Sequence, residues 1–274
     1  MRYKQKKYTT SYKYFSNEQI AFVTSAKVGS RFMKSVSDNL QFSNYTNPLD
    51  KKLEEVEFNH IPFPKREDFT TYAVDNFYKQ KETVFLIRNP LKRFISGLTT
   101  NLSIINTRCF RDGEDGTDFM RHYFDNFIDS ESYIRGVDKV KDLVKEFLFS
   151  KNKELIKEFI ITYILPESIY KDSHVEFHHF MAYNYMNDLK NAGVNLKYLD
   201  IIDLDNYFKT KEITYWGYNE NMDDFKQTER DTIFYKYISD NLEIWKSEIK
   251  ELSLYLEIET EYYDKIKKEY EILL

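Results

Sequence analysis

Residues Ile20–Phe42 read IAFVTSAKVGSRFMKSVSDNLQF and contain, in order, the patterns of a strand, a loop and a helix. The apolar run at the start is long enough for a buried strand and too short for a helix. Apolar residues then return at every fourth position, at Phe32, Val36 and Leu40, which is the spacing of a helix with one buried face. We therefore expect a buried strand that leads through a tight loop into an amphipathic helix.

The loop inside this stretch has the residues of an anion site. Gly29 is the only glycine before Gly97. A chain so poor in glycine is expected to place one where the backbone needs a positive φ or where a ligand comes close. The start of a helix presents unpaired N–H groups and the positive end of the helix dipole. Because Lys27 and Arg31 add positive charge, the loop is predicted to bind an anionic group.

A second strand–loop–helix pattern follows at residues 83–97. Thr83–Ile87 is an apolar, β-branched run, Asn89 suits a helix cap, and Pro90 suits the first helical position. Arg88 is thus predicted at the carboxyl end of a strand, and Ser96 about two turns into the next helix. Ligands of open α/β sheets bind at the carboxyl ends of strands. Arg88 and Ser96 are therefore predicted to hold a second anionic group beside the first.

Together, the two segments resemble the nucleotide-binding motifs of sulfotransferases. Thr24–Phe32, TSAKVGSRF, is similar to their 5′-phosphosulfate loop. Arg88–Gly97, RNPLKRFISG, is similar to their 3′-phosphate motif, which has an arginine and a serine eight residues apart. The form is closest to carbohydrate sulfotransferases of the heparan and chondroitin type. The resemblance covers roughly the first 100 residues well and the remainder loosely.

This resemblance implies a fold, a substrate and an activity. The fold would be P-loop-kinase-like α/β, with three layers around a central, mostly parallel sheet and a large helical portion in the C-terminal half. The activity would be transfer of a sulfuryl group from 3′-phosphoadenosine 5′-phosphosulfate (PAPS) to a hydroxyl acceptor, with a carbohydrate favoured by the style of the motifs. No metal is expected. The implied PAPS-binding residues are Lys27, Val28, Gly29, Ser30, Arg31, Phe32, Arg88 and Ser96.

The roles of these residues follow from the same resemblance. Lys27 would stabilise the charge that grows on the leaving phosphate oxygen. The backbone N–H groups from Val28 to Phe32 would bind the 5′-phosphate together with the Ser30 hydroxyl. Arg88 and Ser96 would bind the 3′-phosphate. Arg93 matches a frequent arginine of the family, either as a ligand or in a structural ion pair.

A base for the acceptor hydroxyl is expected to be a histidine, because its pKa lies near neutral pH. His60 is the first candidate, since its setting, Asn-His-Ile-Pro, resembles the segment that carries the catalytic histidine in several sulfotransferases. His174 resembles the histidine of an Asp-x-His segment of the carbohydrate enzymes and is predicted to line the acceptor site. Glu176 is a spare base candidate. His122 and His179 are predicted to be surface or packing residues.

The remainder of the chain is predicted to belong to the same α/β domain, which spans residues 1–274. Residues 1–17 carry basic residues and no acid, as in a solvated arm or a grip on an acidic acceptor. The other predicted elements are a strand at 54–59, a helix at 66–80, a helix from Pro90 to about residue 105, a loop at 107–118, a largely helical region at 119–190 divided at Pro166, a strand at 197–202 and two charged amphipathic helices in 223–274.

Composition narrows the class of protein further. The net charge of −5 argues against a nucleic-acid partner, and the single cysteine, Cys109, excludes an intrachain disulfide. No apolar signal region follows the basic start, and the longest apolar run, Phe159–Leu165, is too short to span a bilayer. We therefore expect a cytoplasmic protein without a membrane span, in a bacterial or viral setting.

Two other functions share these sequence features. One is a P-loop kinase of a small molecule, although the Walker order Gly-x-x-x-x-Gly-Lys-Ser/Thr is absent because Lys27 precedes Gly29. The other is a non-catalytic protein with the sulfotransferase fold that binds a nucleotide or a glycan. Binding of ATP with Mg²⁺ would indicate the first, and nucleotide binding without a sulfated product would indicate the second.

Overall fold

In a computed structural model of the chain, the residues described are 13–16, 20–25, 27–29, 33, 43–45, 82–110, 130–168, 174–210 and 229–273. The chain divides into two compact units. The first unit consists of residues 1–90, 178–226 and 259–274, and the second of residues 91–177 and 227–258.

The described part of the first unit contains a six-stranded sheet. Its strands are β1 Lys13–Ser16, β2 Ile20–Thr24, β3 Ser43–Tyr45, β4 Glu82–Ile87, β5 Leu196–Asp200 and β6 Glu271–Ile272, in the spatial order β3-β1-β2-β4-β5-β6. Strands β2, β4, β5 and β6 are parallel, whereas β1 runs antiparallel to both β2 and β3.

The register of the parallel strands brings their carboxyl ends to one edge of the sheet. Val23 lies opposite Phe85 in the pairing of β2 with β4, and Ile87 lies opposite Asp200 in the pairing of β4 with β5. Beyond the last pair, the backbone N–H of Ile201 donates to the carbonyl of Ile87 at 2.9 Å. The loops that follow β2, β4 and β5 therefore start side by side.

The described part of the chain contains seven α-helices. They are α1 Pro90–Phe110, α2 Ser130–Ser150, α3 Lys153–Phe159, α4 His178–Asn191, α5 Leu204–Thr210, α6 Glu229–Glu248 and α7 Lys250–Glu269, with a π-helical segment at Ile160–Ser168 after α3.

Helices cover both faces of the sheet in the first unit. The side chains of a strand alternate between the faces, and β2 and β4 are buried on both of them. One face packs against α4 and the end of α7, through Ala21, Val23, Phe85, Ile87, Ala182, Tyr185, Met186, Leu189, Tyr263 and Ile266. The other face packs against α5 and against residues that follow β2, through Phe22, Val84, Leu86, Val28, Met33, Leu204 and Phe208. The predicted α/β class, with layers on both sides of a mostly parallel sheet, is confirmed for this unit.

The second unit is helical in its described part. Phe147 of α2 stacks on Phe234 of α6 with ring centroids 5.6 Å apart, and Phe94 of α1 packs on Tyr255 of α7 at 5.4 Å. Trp245 is fully buried. The prediction of a large helical portion in the C-terminal half is in line with these elements.

Some boundaries differ from the predictions. Helix α1 continues to Phe110, so residues 107–110, predicted as loop, are helical. The helix predicted to end before Pro166 continues past it, because Pro166 lies inside the π-helical segment Ile160–Ser168. Strand β1 takes up the end of the predicted basic arm, and β6 follows the last predicted helix. The predicted strand at 54–59 and helix at 66–80 lie outside the described residues.

Candidate anion-binding site

The loop after β2 has two residues in the left-handed region of backbone space. Lys27 has φ 65° and Gly29 has φ 77°. Two hydrogen bonds hold the turn. Val28 N–H donates to the carbonyl of Ser25 at 3.2 Å, and the Thr24 hydroxyl donates to the carbonyl of Val28. Val28 itself is fully buried in the core beside the sheet. The loop is therefore a fixed turn anchored by an apolar side chain.

Gly29 has two features that favour glycine, a positive φ and close neighbouring side chains. Its positive φ was expected from the sequence and is confirmed. A Cβ at this position would lie 3.3 Å from a methyl group of Ile201 and 3.4 Å from side-chain atoms of Leu86 and Leu204. The carbonyl of Gly29 accepts a hydrogen bond from the N–H of Met33 at 2.9 Å, which is the spacing of a helical turn.

Lys27 adopts a conformation that residues with a Cβ seldom adopt. The left-handed region costs such a residue about 1–2 kcal/mol. Such strain persists where the surrounding structure imposes it, and it is concentrated at functional sites. Here the hydrogen bonds of Thr24 and Ser25 to Val28 impose this strain, because they fix the backbone of the residue that follows Lys27.

Arg88 joins the two predicted motifs. It follows β4, the neighbour of β2, and its Nη1 donates to the backbone carbonyl of Lys27 at 3.0 Å. Both side chains are half-buried. The structure thus brings together Lys27, Val28, Gly29 and Arg88, which the sequence assigned to two separate phosphate-binding segments.

The other residues of the second motif lie in the second unit. Ser96 is buried in α1, and its carbonyl accepts from the Thr100 hydroxyl at 3.0 Å. Arg93 is fully buried and its Nη1 donates to the carbonyl of Glu176 at 2.8 Å. This bond gives Arg93 a structural role in fastening α1 to the segment before α4.

His174 and Glu176, which are predicted to line the acceptor site, belong to a segment that packs against the same helix, α1. A Cβ on Gly97 would lie 2.1 Å from the carbonyl oxygen of His174, so the segment approaches α1 as closely as only a glycine permits. His174 is half-buried and Glu176 is buried. Tyr255 donates to the carbonyl of Glu176 at 3.4 Å. His174 and Glu176 therefore lie beside the helix that carries Ser96.

The remaining predicted site residues are Ser30, Arg31, Phe32 and His60. All four lie outside the described residues, so their roles stay predictions.

Sequence analysis missed a pair of residues at the root of the loop. Ser25 Oγ and His178 Nδ1 are joined by a 2.8 Å hydrogen bond, and both residues are buried. Ser25 directly follows β2, and His178 is the first residue of α4. They are 153 positions apart, so no local pattern points to their contact.

A buried carboxylate fixes the start of α4. Glu259 of α7 accepts from the backbone N–H of His179 at 3.0 Å and from that of Phe180 at 3.3 Å. Its other oxygen lies 2.8 Å from His179 Nδ1. His179 and Glu259 are 0% and 1% exposed, respectively. Because the carboxylate satisfies N–H groups at a helix N-terminus, it acts as a cap supplied by a distant helix. The prediction of a packing role for His179 agrees with its burial.

A third pair lies at the end of β5. The Tyr263 hydroxyl donates to Asp200 Oδ2 at 2.5 Å, and Asp200 Oδ1 accepts from the N–H of Ile202 at 3.1 Å. Burial and the hydrogen bond to the carboxylate raise the pKa of Tyr263 above its ordinary value. The ring of His179 lies edge-on to Tyr263 at 5.4 Å and to His178 at 4.9 Å. We name as the polar row the residues that link the end of β2 to the end of β5: Ser25, His178, His179, Glu259, Tyr263 and Asp200.

Comparison of the chain with models of protein families finds no match, and neither does comparison with curated proteins or with solved structures. A proposal of function therefore depends on the residues of the site and on the sequence resemblance.

Two further properties concern the described residues only. Among them, no helix combines the length and the apolar character that crossing a bilayer requires. Within the same residues, no three His, Cys, Asp or Glu side chains are grouped to hold a metal ion.

Proposed function

We propose that the protein is a PAPS-dependent sulfotransferase with a P-loop-kinase-like fold. The observation that carries the proposal is the hydrogen bond from Arg88 to the carbonyl of Lys27. It ties the segment similar to the 5′-phosphosulfate loop to the segment similar to the 3′-phosphate motif, at the carboxyl ends of two neighbouring parallel strands. This is the edge of an α/β sheet where ligands bind.

The described loop has the chemistry that a sulfated and phosphorylated ligand requires. The turn at Lys27 and Gly29 has the positive φ angles typical of loops whose backbone wraps an anion. Lys27 and Arg88 supply one positive charge each. A guanidinium forms strong, charge-assisted hydrogen bonds with phosphate oxygens. These features support binding of a doubly phosphorylated adenosine whose 5′-group lies at the loop.

The reaction breaks the bond between sulfur and the bridging phosphate oxygen of PAPS and forms a bond between sulfur and the acceptor oxygen. The sulfuryl group passes in line between the two oxygens, as in phosphoryl transfer. Lys27 stabilises the negative charge left on the phosphate oxygen. The proton of the acceptor hydroxyl goes to a base, for which His60 is the first candidate. The products are a sulfate ester and adenosine 3′,5′-bisphosphate.

The acceptor is proposed to be a carbohydrate hydroxyl. Ser96 is proposed to complete the 3′-phosphate site, and His174 and Glu176 are proposed to line the acceptor site. Packing of the His174 segment on the helix that carries Ser96 supports placing these two roles near each other. The proposal also includes a cytoplasmic location and a bacterial or viral setting.

Binding of adenosine 3′,5′-bisphosphate, measured by thermal shift and calorimetry, is the first test. The proposal expects a clear stabilisation by this nucleotide and none by ATP with Mg²⁺, followed by transfer of labelled sulfate from PAPS to a panel of glycans. Stabilisation by ATP with Mg²⁺ alone would point to a kinase. Nucleotide binding without transfer to any acceptor would point to a non-catalytic binding protein.

A matched pair of lysines sharpens this test. Within the described residues, Lys27 and Lys151 are the two non-glycine residues with positive φ, at 65° and 56°. Substitution by alanine removes an ammonium from the same backbone conformation in each case. Lys27→Ala should abolish transfer, whereas Lys151→Ala should leave it unchanged. Equal activity of the two variants would refute the role of Lys27.

A further inference from the structure

The residues around His178 form a chain of contacts that ends at the anion loop. His178 Nδ1 bonds to Ser25 Oγ at 2.8 Å, and the carbonyl of Ser25 accepts from the N–H of Val28, between Lys27 and Gly29. Thr24, next to Ser25, bonds to the carbonyl of the same Val28. The His178 side chain, which belongs to α4, thus bonds to a residue whose backbone carbonyl helps to shape the turn.

The position of His178 is itself fixed. It is the first residue of α4, whose N-terminus is capped by the buried carboxylate of Glu259. The rings of His178 and His179 are in edge-on contact at 4.9 Å. Since α4 also packs on the sheet through Ala182, Tyr185 and Met186, its first turn has a defined place relative to β2.

A buried polar pair of this kind is chosen for geometry more than for stability. Ser25 is 0% and His178 is 1% exposed. Burial of a hydroxyl and an imidazole removes them from water, and the bond between them largely offsets that cost. What an apolar pair would lack is a directional bond that permits one arrangement of the loop root.

The geometry points to His178 as a positioning residue that, through Ser25, holds the Lys27–Gly29 turn in its anion-binding conformation. This inference rests on the proposed function insofar as the anion is the 5′-group of PAPS. It assigns no contact with the reacting atoms to His178. Its role is to keep the loop in a conformation that would otherwise relax, because Lys27 is strained.

Four variants test the inference. His178→Asn keeps a polar atom near the place of Nδ1, whereas His178→Leu removes it; Ser25→Ala removes the other partner, and the fourth variant combines His178→Leu with Ser25→Ala. Affinity for adenosine 3′,5′-bisphosphate should fall about fivefold or more in His178→Leu and in Ser25→Ala, because each change removes the buried bond that holds the turn. The double variant should lose no more than either single one, and His178→Asn should recover part of the loss.

A control separates positioning from general destabilisation. His179→Asn disturbs the same helix start and the bond to Glu259 but leaves Ser25 untouched. It should lower the melting temperature without a comparable loss of nucleotide affinity. Parallel loss of affinity and melting temperature in all variants, His179→Asn included, would overturn the positioning role.

A second measurement needs no nucleotide. Amide hydrogen exchange of the peptide that contains Val28 and Gly29 should be faster in His178→Leu than in the wild type and His178→Asn. If the wild type binds no adenosine 3′,5′-bisphosphate, the proposed function fails, and the exchange comparison alone then decides on the positioning role. Unchanged exchange in His178→Leu would overturn that role whatever the ligand is.

Discussion

Arg88 Nη1 lies 3.0 Å from the carbonyl oxygen of Lys27 and donates a hydrogen bond to it. The bond connects the residue after β4 with the strained residue in the loop after β2. One N–H of the guanidinium holds the loop in this way, and a guanidinium carries five N–H donors in all. Arg88 is therefore expected to act in two ways, by bracing the loop and by contacting an anion.

Replacement of Arg88 should separate binding from folding. Arg88→Ala is expected to weaken binding of adenosine 3′,5′-bisphosphate by about 1.5–3 kcal/mol, or at least tenfold, because a charge-assisted bond and the brace on the loop are both lost. Calorimetric titration measures the change. Lys92→Ala, which removes an exposed positive charge four residues later, is the control for a general electrostatic effect. Equal affinities of the wild type and Arg88→Ala would contradict the assignment.

Two glycines with positive φ provide a second comparison. Gly29 and Gly193 have φ 77° and 85°, but a Cβ on Gly29 would meet three side chains within 3.4 Å, whereas one on Gly193 would meet nothing within 4 Å. Gly193→Ala should lower the free energy of unfolding only by the cost of placing a Cβ at positive φ, about 1–2 kcal/mol.

Gly29→Ala should lose that amount and an additional part from the contacts with Ile201, Leu204 and Leu86. It should also weaken nucleotide binding, which Gly193→Ala should not affect. Urea unfolding and calorimetry check the two effects. Equal losses of stability in the two variants would mean that the packing around Gly29 yields at little cost.

The sequence predicted the parts of the site that lie close together along the chain. The strand at β2, the positive φ of Gly29 and the helix that starts at Pro90 all follow from local patterns of apolar residues, glycine and proline. The meeting of Lys27 and Arg88 followed from one additional rule, that parallel strands bring their carboxyl ends to one edge.

The polar row was not predictable in this way. His178 reaches Ser25 across 153 positions, and Glu259 caps a helix that starts 81 positions earlier, at His178. Such contacts depend on how distant helices pack, which no local pattern records.

The Glu259 cap should be among the most sensitive buried positions. Glu259→Ala leaves the N–H groups of His179 and Phe180 and the His179 ring without their partner in a dry site. Each buried donor left without its acceptor costs about 1–3 kcal/mol, and Glu259→Ala leaves at least two of them. Glu261 lies two positions after Glu259 on the same helix and forms an exposed ion pair with Lys265. Glu261→Ala breaks this pair and is expected to change stability little. Chemical unfolding of the two variants checks this difference, and equal stability would contradict the cap.

Tyr263 should make stability depend on pH in the alkaline range. Burial first, and then the hydrogen bond to Asp200, raise the pKa of its phenol above the ordinary value of 10.0. The folded state therefore keeps the proton at a pH at which the unfolded chain has lost it. Since proton loss then favours the unfolded chain, the stabilisation is complete below pH 10 and decreases as the pH rises above that value.

Tyr263→Phe should change this dependence in two ways. At neutral pH it should be less stable than the wild type by about 1–3 kcal/mol, because Asp200 loses a donor. Above pH 10, the difference from the wild type should narrow, since the variant has no phenol to deprotonate there. Other tyrosines with a raised pKa, the buried Tyr198 and the half-buried Tyr207, leave part of the alkaline decrease in both proteins.

Tyr262→Phe is the matched control, because it removes a neighbouring phenol without affecting the bond to Asp200. Urea unfolding at a series of pH values from neutral to alkaline measures all three proteins. A constant difference between the wild type and Tyr263→Phe across this range would contradict the raised pKa. If the difference in stability from the wild type narrows for Tyr263→Phe and not for Tyr262→Phe, the proton on Tyr263 stabilises this end of the polar row.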